Sequence, residues 1–169
     1  MTDFVIAELD HFVREGSIVE KLSPVLEQLS RKLEDNPTSP QAWKALPWDF
    51  FGKPLPSGIA SCWAFALRGG GIFENERHPN SWQRSIGIRG TANFEVYAEN
   101  EWRARPVIAS SPAVENRTVS IPPNVWHRIA IGEETFVSLS FHTAAAAELI
   151  EETCEEGDFT RTKRRLYQG

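Results

Sequence analysis

The residues best suited to chemistry lie in one polar segment, GIFENERHPNSWQRSIGIRG, at residues 71–90. Glu76 and His78 are two positions apart, so on a β-strand both side chains project from the same face. A carboxylate and an imidazole in that arrangement can clamp a metal ion. The chain offers a second histidine, His127, which follows the rigid proline pair of IPPNVWHRIAI. The alternative interpretation is that these side chains lie on a solvated strand face.

A further histidine, His142, lies in a strand-like run with two small polar residues. Ser138, Ser140 and His142 alternate along FVSLSFHT and would share one face. Small polar side chains beside a histidine indicate a pocket wall, where an imidazole can act as an acid or base near neutral pH. Otherwise, His142 would be a structural histidine bonded to a helix start at Thr143. His11, in the N-terminal segment, is expected on the surface.

The elements that must hold these residues change in character near residue 60. Before it, apolar residues recur at three- and four-residue steps between positions 18 and 33 and predict helix. Ser23 and Pro24 form a helix-start pattern inside this run, which favours two short helices over one long one. TSPQAW at 38–43 repeats that pattern. From residue 60 to 142, roughly eight short apolar runs separated by turns predict an all-β barrel or sandwich.

The last part of the chain changes character again. AAAAELIEETCEEG, residues 144–157, predicts a helix ended by Gly157, and TRTKRRLYQG predicts a solvated basic tail. The helical segments are too short to form a second domain. We therefore expect one domain, with helices and a proline-rich lead-in at 1–58, a barrel at 59–143, and the C-terminal helix and basic tail at 144–169.

Length, charge and cysteine content restrict the classes of function. The chain has 169 residues and a net charge of −5, so neither nucleic acid nor an anionic membrane surface is an expected partner. Cys62 and Cys154 are not in a metal-binding or redox spacing, which favours a reducing, cytoplasmic setting. Acidic residues stand where a signal peptide would have basic ones, and no apolar run is long enough to span a membrane.

The spacing around Glu76 and His78 resembles the first motif of the cupin superfamily, G-x5-H-x-H-x3,4-E-x6-G. The matching positions here are Gly70, Glu76, His78, Gln83 and Gly90. Glu76 replaces the usual first histidine, and Gln83 replaces the usual glutamate. IPPNVWH resembles the second motif, P-x-G-x2-H, with Asn124 in place of glycine. The chain is therefore expected to form a mainly β fold, the cupin double-stranded β-helix or jelly roll, with an N-terminal helical cap and a C-terminal helix.

Within that superfamily, the chain resembles the cysteine dioxygenase group over roughly residues 60–143. Asn80 and Ser81 match the first motif of the group, and ENRTVSIPPNVWHRI with FVSLSFHT resembles its second motif and the following strand. Gln83 stands where the animal enzymes have a cysteine crosslinked to tyrosine, and His142 stands in place of that tyrosine. WDFFGKP lacks the arginine that binds the substrate carboxylate in the group, which argues against cysteine as the substrate.

The resemblance implies that Glu76, His78 and His127 bind one divalent metal ion, foremost Fe(II). Two histidines and one carboxylate form a facial triad that leaves coordination positions open, and Mn, Ni and Zn also accept this set. Gln83 would be a weak fourth ligand or a hydrogen-bonding neighbour of the site.

We therefore expect a metal-dependent enzyme, foremost a mononuclear non-haem Fe(II) dioxygenase that uses O2 on a small organic substrate, with His142 orienting or protonating the intermediate. One alternative is a non-redox isomerase, lyase or hydrolase that uses Mn, Ni or Zn, in which Glu76 could be a base. Another is a non-catalytic module that binds a small molecule, because one fold hosts many activities. Pairing of open sheets into a homodimer would fit such a barrel.

Overall fold

The structure is a computed structural model that describes residues 3–155 and 158–167. Two antiparallel β-sheets pack face to face, and helices cover the outer face of one of them. The helices are α1 (Phe4–Val13), α2 (Gly16–Asp35) and the one-turn α3 (Val114–Arg117). The strands are β1 (Gln41–Leu46), β2 (Ser61–Leu67), β3 (Asn75–Arg77), β4 (Gln83–Arg89), β5 (Thr91–Ala98), β6 (Glu101–Ile108), β7 (Thr118–Ile121), β8 (His127–Ile131), β9 (Phe136–His142), β10 (Ile150–Cys154) and β11 (Thr162–Leu166).

The strands divide into a five-stranded and a six-stranded sheet. The order is β1-β2-β9-β4-β7 in the first and β11-β10-β3-β8-β5-β6 in the second. Side chains from the facing sheets form one apolar core, which includes Trp63 and Phe65 of the first sheet and Phe94 and Ile131 of the second. Two facing antiparallel sheets built from short strands confirm the predicted mainly β class.

The five-stranded sheet is covered on both faces, which explains why β2 is buried at every position. Alternate residues of a strand point to opposite faces, so SCWAFAL contributes to two cores at once. Toward the helices it presents Cys62, Ala64 and Ala66. Toward the other sheet it presents Trp63, Phe65 and Leu67. The small alanines allow α2 to pack close to this sheet.

Helix α2 is one helix of 20 residues, and the predicted break at Ser23 and Pro24 is wrong. Proline removes a backbone donor and usually ends a helix. Here Pro24 is exposed to solvent, and the apolar stripe that includes Leu22 and Val25 continues past it in the core. Burial of that stripe stabilises both halves as one helix. Within the described residues, no helix is both long and apolar enough to cross a membrane.

A buried ion pair fixes helix α1 to the barrel. Asp10 accepts two hydrogen bonds from Arg117, one from Nε at 2.7 Å and one from Nη2. The same guanidinium donates to the carbonyl oxygens of Ser111 and Pro112 at 2.9 and 2.7 Å. The two charged residues are 107 positions apart, so this pair joins the N-terminal helical cap to the segment that leads into β7.

Residues 41–46 form strand β1, although TSPQAW predicted a helix start there. β1 pairs along its whole length with β2, from Gln41 opposite Leu67 to Leu46 opposite Cys62. Leu46 joins the core beneath the helices. The conformation is set by the edge of the sheet, because pairing with β2 satisfies the backbone groups that a helix would have satisfied internally.

The predicted C-terminal helix at 144–157 is wrong, and the predicted basic tail is exposed as expected but forms a strand. Residues 144–149 form turns and bends, and β10 and β11 form an antiparallel hairpin at the edge of the six-stranded sheet. β10 also pairs with β3, the strand that carries Glu76. The helix-forming residues adopt strand conformation because Leu149 is fully buried and β10 bonds to neighbours on both sides. Gly157, predicted to end the helix, lies outside the described residues.

Two glycines of the first cupin-like motif have left-handed backbone conformation. Gly70 has a φ of +73° and Gly90 a φ of +80°. A Cβ at Gly90 would also lie 2.6 Å from the carbonyl oxygen of Thr135, so a larger residue would clash. Asn124, which replaces the glycine of the second motif, has a φ of 65°. Asparagine tolerates this conformation, and the turn that leads to His127 is therefore maintained.

Candidate metal centre

Glu76, His78 and His127 come together on the inner face of the six-stranded sheet. Glu76 lies in β3 directly opposite His127, the first residue of β8, and His78 directly follows β3. One ligand atom from each residue lies within 4.8 Å of those of the other two. Alternation along β3 accounts for this arrangement, because Arg77 points the other way and stacks on Trp126 at 4.5 Å. The three residues form a candidate site for one metal ion.

Backbone carbonyls fix the orientation of both imidazoles. Nδ1 of His78 lies 3.0 Å from the carbonyl oxygen of Ile150, and Nδ1 of His127 lies 3.1 Å from that of Val125. A carbonyl oxygen only accepts, so each Nδ1 carries a proton, and Nε2 is the ring atom left for a metal ion. Nε2 of His78 is buried without a hydrogen-bond partner. The Nε2 atoms of His127 and His78 lie 3.1 and 3.9 Å from Oε1 of Glu76.

Gln83 contributes a fourth acceptor from the facing sheet. It begins β4, and its amide nitrogen donates to Oγ of Ser85 at 3.3 Å. Its Oε1 lies beside His78 and is buried without a hydrogen-bond partner. A carboxylate oxygen, two imidazole nitrogens and an amide oxygen therefore converge, and Nε2 of His78 and Oε1 of Gln83 have no hydrogen-bond partner. Buried acceptors are costly to leave unpaired, and a divalent cation would satisfy the whole set. The donor set fits a metal ion.

The ionisation states of these residues also favour a cation. Burial raises the pKa of Glu76, but the hydrogen bond to His127 and the charges of His127 and His78 outweigh it and bring the pKa down to about 2. Burial lowers the pKa of His78, although the charge of Glu76 opposes that change. At neutral pH, Glu76 is therefore a carboxylate and His78 a neutral imidazole. Carboxylates and imidazoles bind metals in these forms.

His142 ends β9, directly opposite Gln83 in the sheet register. It is fully buried, and its ring packs edge-on against that of His78 with centroids 4.9 Å apart. Oγ of Ser85 donates to Oγ of Ser140, and Oγ of Ser140 forms a hydrogen bond with Nε2 of His142 at 3.1 Å. Nδ1 of His142 is buried without a hydrogen-bond partner. Burial lowers the pKa of His142 well below its usual range, which keeps the ring neutral.

A cavity of about 230 Å³ lies between the two sheets beside these groups. Its polar wall includes Glu76, Gln83, His127, Glu151, Arg165 and Tyr167. The last three were not singled out from the sequence. Glu151 and Arg165 lie opposite each other in the β10–β11 hairpin and form an ion pair. The acidic pair at 151–152 and the basic pair at 164–165 are complementary in sequence, and this pattern could have indicated the hairpin.

Glu151 is a second carboxyl group beside Glu76. Burial and the negative charge of Glu76 raise the pKa of Glu151 to about 7, although the ion pair with Arg165 opposes the change. Glu151 can therefore hold a proton near neutral pH and donate it to the Glu76 carboxylate. Tyr167 packs its ring against His78 with centroids 5.1 Å apart, and burial raises the pKa of its phenol, which stays protonated.

Replacing Glu151 with glutamine should change how the stability of the metal-free protein depends on pH. The pKa of Glu151 rises from 4.5 to about 7 on folding, so its stabilising proton is fully held below pH 4.5 and is lost as the pH rises through about 7. The side-chain amide of a glutamine at this position donates hydrogen bonds at every pH, because it does not titrate. As the pH rises from about 5 to 8, the free energy of unfolding of the wild type should fall by up to about 3 kcal/mol relative to that of the variant. Urea unfolding of both proteins in EDTA would measure this difference, and parallel pH curves would contradict it.

No established protein-family profile and no curated protein matches the sequence. Several solved structures do align with it. Cocosin, an allergen of coconut, aligns with a TM-score of 0.53 at 15% identity, over 69% of this chain and 29% of its own. The 11S globulin of Wrightia tinctoria aligns with a TM-score of 0.52 at 14% identity, over 67% and 27%. The oxalate decarboxylase of Lactobacillus farciminis aligns with a TM-score of 0.47 at 20% identity, over 61% and 29%.

The chain therefore spans less than a third of the length of each of these proteins. At such low identity, the alignments with cocosin and the Wrightia globulin concern the fold alone. They agree with the two facing antiparallel sheets. The chain thus folds as a cupin-type jelly-roll barrel with helices packed on its five-stranded sheet.

Proposed function

We propose that this chain is a metal-dependent enzyme, and specifically a mononuclear non-haem Fe(II) dioxygenase that acts on a small organic molecule other than cysteine. The observation that carries the proposal is the convergence of Glu76, His78 and His127, with Nε2 of His78 and Oε1 of the neighbouring Gln83 both buried and without a hydrogen-bond partner. Two histidines and a carboxylate suit Fe(II) and leave coordination positions open, and Mn, Ni and Zn bind the same set.

The metal, when bound, would act as a Lewis acid and bring substrate and O2 together. The residues of the chain supply orientation and protons. The carbonyls of Ile150 and Val125 hold both imidazoles in one tautomer, so the ligands need little reorganisation. The His142 imidazole packs against the ring of His78, and its unpartnered Nδ1 can exchange a proton there. The Glu151 carboxyl, which lines the cavity and gains or loses a proton near pH 7, can exchange a proton with a bound substrate.

Oxygen consumption tests this proposal. Fe(II)-loaded protein should consume O2 with at least one compound from a panel of thiols and dicarbonyls. His78→Ala should lower that rate by about 100-fold or more, because it removes a ligand. The matched control is His11→Ala, which removes an exposed histidine of α1 and should leave the rate unchanged. A fully loaded protein that consumes no O2 with any compound would reject the dioxygenase and leave the metal site standing.

Two other functions have a specific observation in their favour. The Glu76 carboxylate lines the cavity and is 26% exposed, so it could act as a base on a substrate held by Mn, Ni or Zn. Such a non-redox enzyme would show turnover without O2 uptake. The aligned Wrightia globulin has an auxin binding site, which supports a non-catalytic binding module. A module of that kind would bind its ligand without metal, and its affinity would survive His78→Ala.

A further inference from the structure

The cavity exists because two strands carry serines where a barrel core would carry larger side chains. Ser85, Ser138 and Ser140 line it from β4 and β9. Ser138 lies beside the bulky Phe65 in the sheet register. The space that results is about 230 Å³. One water takes about 30 Å³ of liquid volume, so the space accepts about seven or eight groups of that size, which is close to one substituted aromatic ring.

Most of the remaining wall is apolar and comes from both sheets. The apolar lining residues are Phe65, Leu67, Phe73, Phe94 and Ile129. Phe65, Leu67 and Phe94 are themselves buried in the core between the sheets. A charged group placed against this wall would lose its hydration and gain no partner, which is strongly unfavourable. An uncharged apolar group would gain from the same burial.

Each charged residue that lines the cavity is paired, belongs to the candidate ligand set or is exposed to solvent. Among the described lining residues, Arg165 is the one cation, and it is paired with the carboxylate of Glu151. Glu76 belongs to the candidate ligand set, and Glu74 is exposed to solvent. A ligand with a carboxylate tail would have to displace Glu151 from Arg165. A ligand with an ammonium tail would have to compete for the same carboxylates.

We propose that this cavity takes a small molecule with a metal-binding head group and an uncharged apolar tail about the size of one aromatic ring. The inference about the head group depends on the proposed metal site, whereas the inference about the tail depends on the cavity alone. Oε1 of Gln83, which is buried, unpartnered and part of the lining, lies where the two parts meet. Amino acids and other molecules whose tails carry a carboxylate or an ammonium group are poor ligands for these walls.

Three thiols with the same head group and different tails test the proposal: benzyl mercaptan, mercaptopropionate and cysteamine. Titration calorimetry on Co(II)-loaded protein should show benzyl mercaptan binding about tenfold or more tightly than either charged thiol. A charged thiol that binds as tightly as benzyl mercaptan would overturn the proposal. Ile129→Trp and Ser138→Val fill the space from opposite sheets. Each folded variant should keep the wild-type Co(II) content and bind benzyl mercaptan about tenfold more weakly.

A metal-free arm separates this inference from the proposed function. Fluorobenzene has the tail without a head group, and its binding to the protein in EDTA can be followed by fluorine NMR. Binding that is lost in Ser138→Val supports the tail site even if the protein retains no metal, in which case only the proposed function fails. Protein that holds Co(II) but binds no fluorobenzene, and does not distinguish the three thiols, would refute the tail site alone.

Discussion

Replacing His127 with alanine should remove the bound metal almost completely. Wild-type protein supplied with Fe(II), Mn(II), Ni(II) or Zn(II) should retain about one ion per chain, and the variant should bind the same ion about 100-fold more weakly or worse. His127 supplies one of three ligand atoms that lie within 4.8 Å of one another, and without it only Glu76 and His78 remain. Elemental analysis of the purified proteins, with titration of the metal-free forms, measures the change.

Two further variants sharpen that experiment. His11→Ala removes an exposed histidine and should retain the full metal content. Gln83→Ala distinguishes the two roles predicted for Gln83, because loss of a direct ligand should weaken metal binding by about tenfold or more, whereas loss of a hydrogen-bonding neighbour should leave the stoichiometry unchanged. If the wild type carries no more metal than His127→Ala, the metal site is refuted.

Replacing Asp10 with alanine should lower the free energy of unfolding by about 3–5 kcal/mol. Arg117 is only 9% exposed, and it would lose both hydrogen bonds to the Asp10 carboxylate while its charge stays buried. Because this pair fixes α1 to the barrel, the helix should loosen together with the loss of stability. Urea unfolding followed by circular dichroism measures the first effect, and amide exchange in α1 measures the second.

Arg14→Ala is the matched control for Asp10→Ala. Arg14 donates to the same carboxylate at 3.1 Å, but its side chain is 43% exposed, so its loss should cost less than about 1 kcal/mol. The double variant Asp10→Leu with Arg117→Met should recover part of the stability, because neither charge then remains unpaired. Similar small losses for Asp10→Ala and Arg14→Ala would show that the buried pair does not anchor the cap.

The barrel and the first three candidate ligands could be predicted from local sequence. Short apolar runs separated by turns locate β2 and β4 to β9, since these strands lie between clear turn residues. Alternation places Glu76 and His78 on one face, and the spacing of two cupin-like motifs brings in His127. Local rules fail where tertiary burial decides, as at Pro24, where the apolar stripe of α2 overrides the helix break.

The C-terminal edge of the site could not be predicted in that way. AAAAELIEETCEEG favours a helix by intrinsic propensity, but its conformation is decided by β3, where Arg77 bonds to Glu152 across 75 positions. Because Glu151 was assigned to a helix and Arg165 to a solvated tail, neither was predicted to lie at the site. The carboxyl pair of Glu76 and Glu151 could therefore not be foreseen.

The position of β3 in the sheet has a consequence for folding kinetics. This strand has three residues, and its partners come 51 positions later at His127 and 75 positions later at Glu152. Closing such long loops lowers the entropy of the chain before any stabilising contact forms, and topologies with distant strand pairing fold slowly. The β5–β6 hairpin can form early, whereas the candidate ligands meet only when the last strands dock. We therefore expect that adding metal during refolding slows unfolding of the final product and leaves the folding rate itself unchanged.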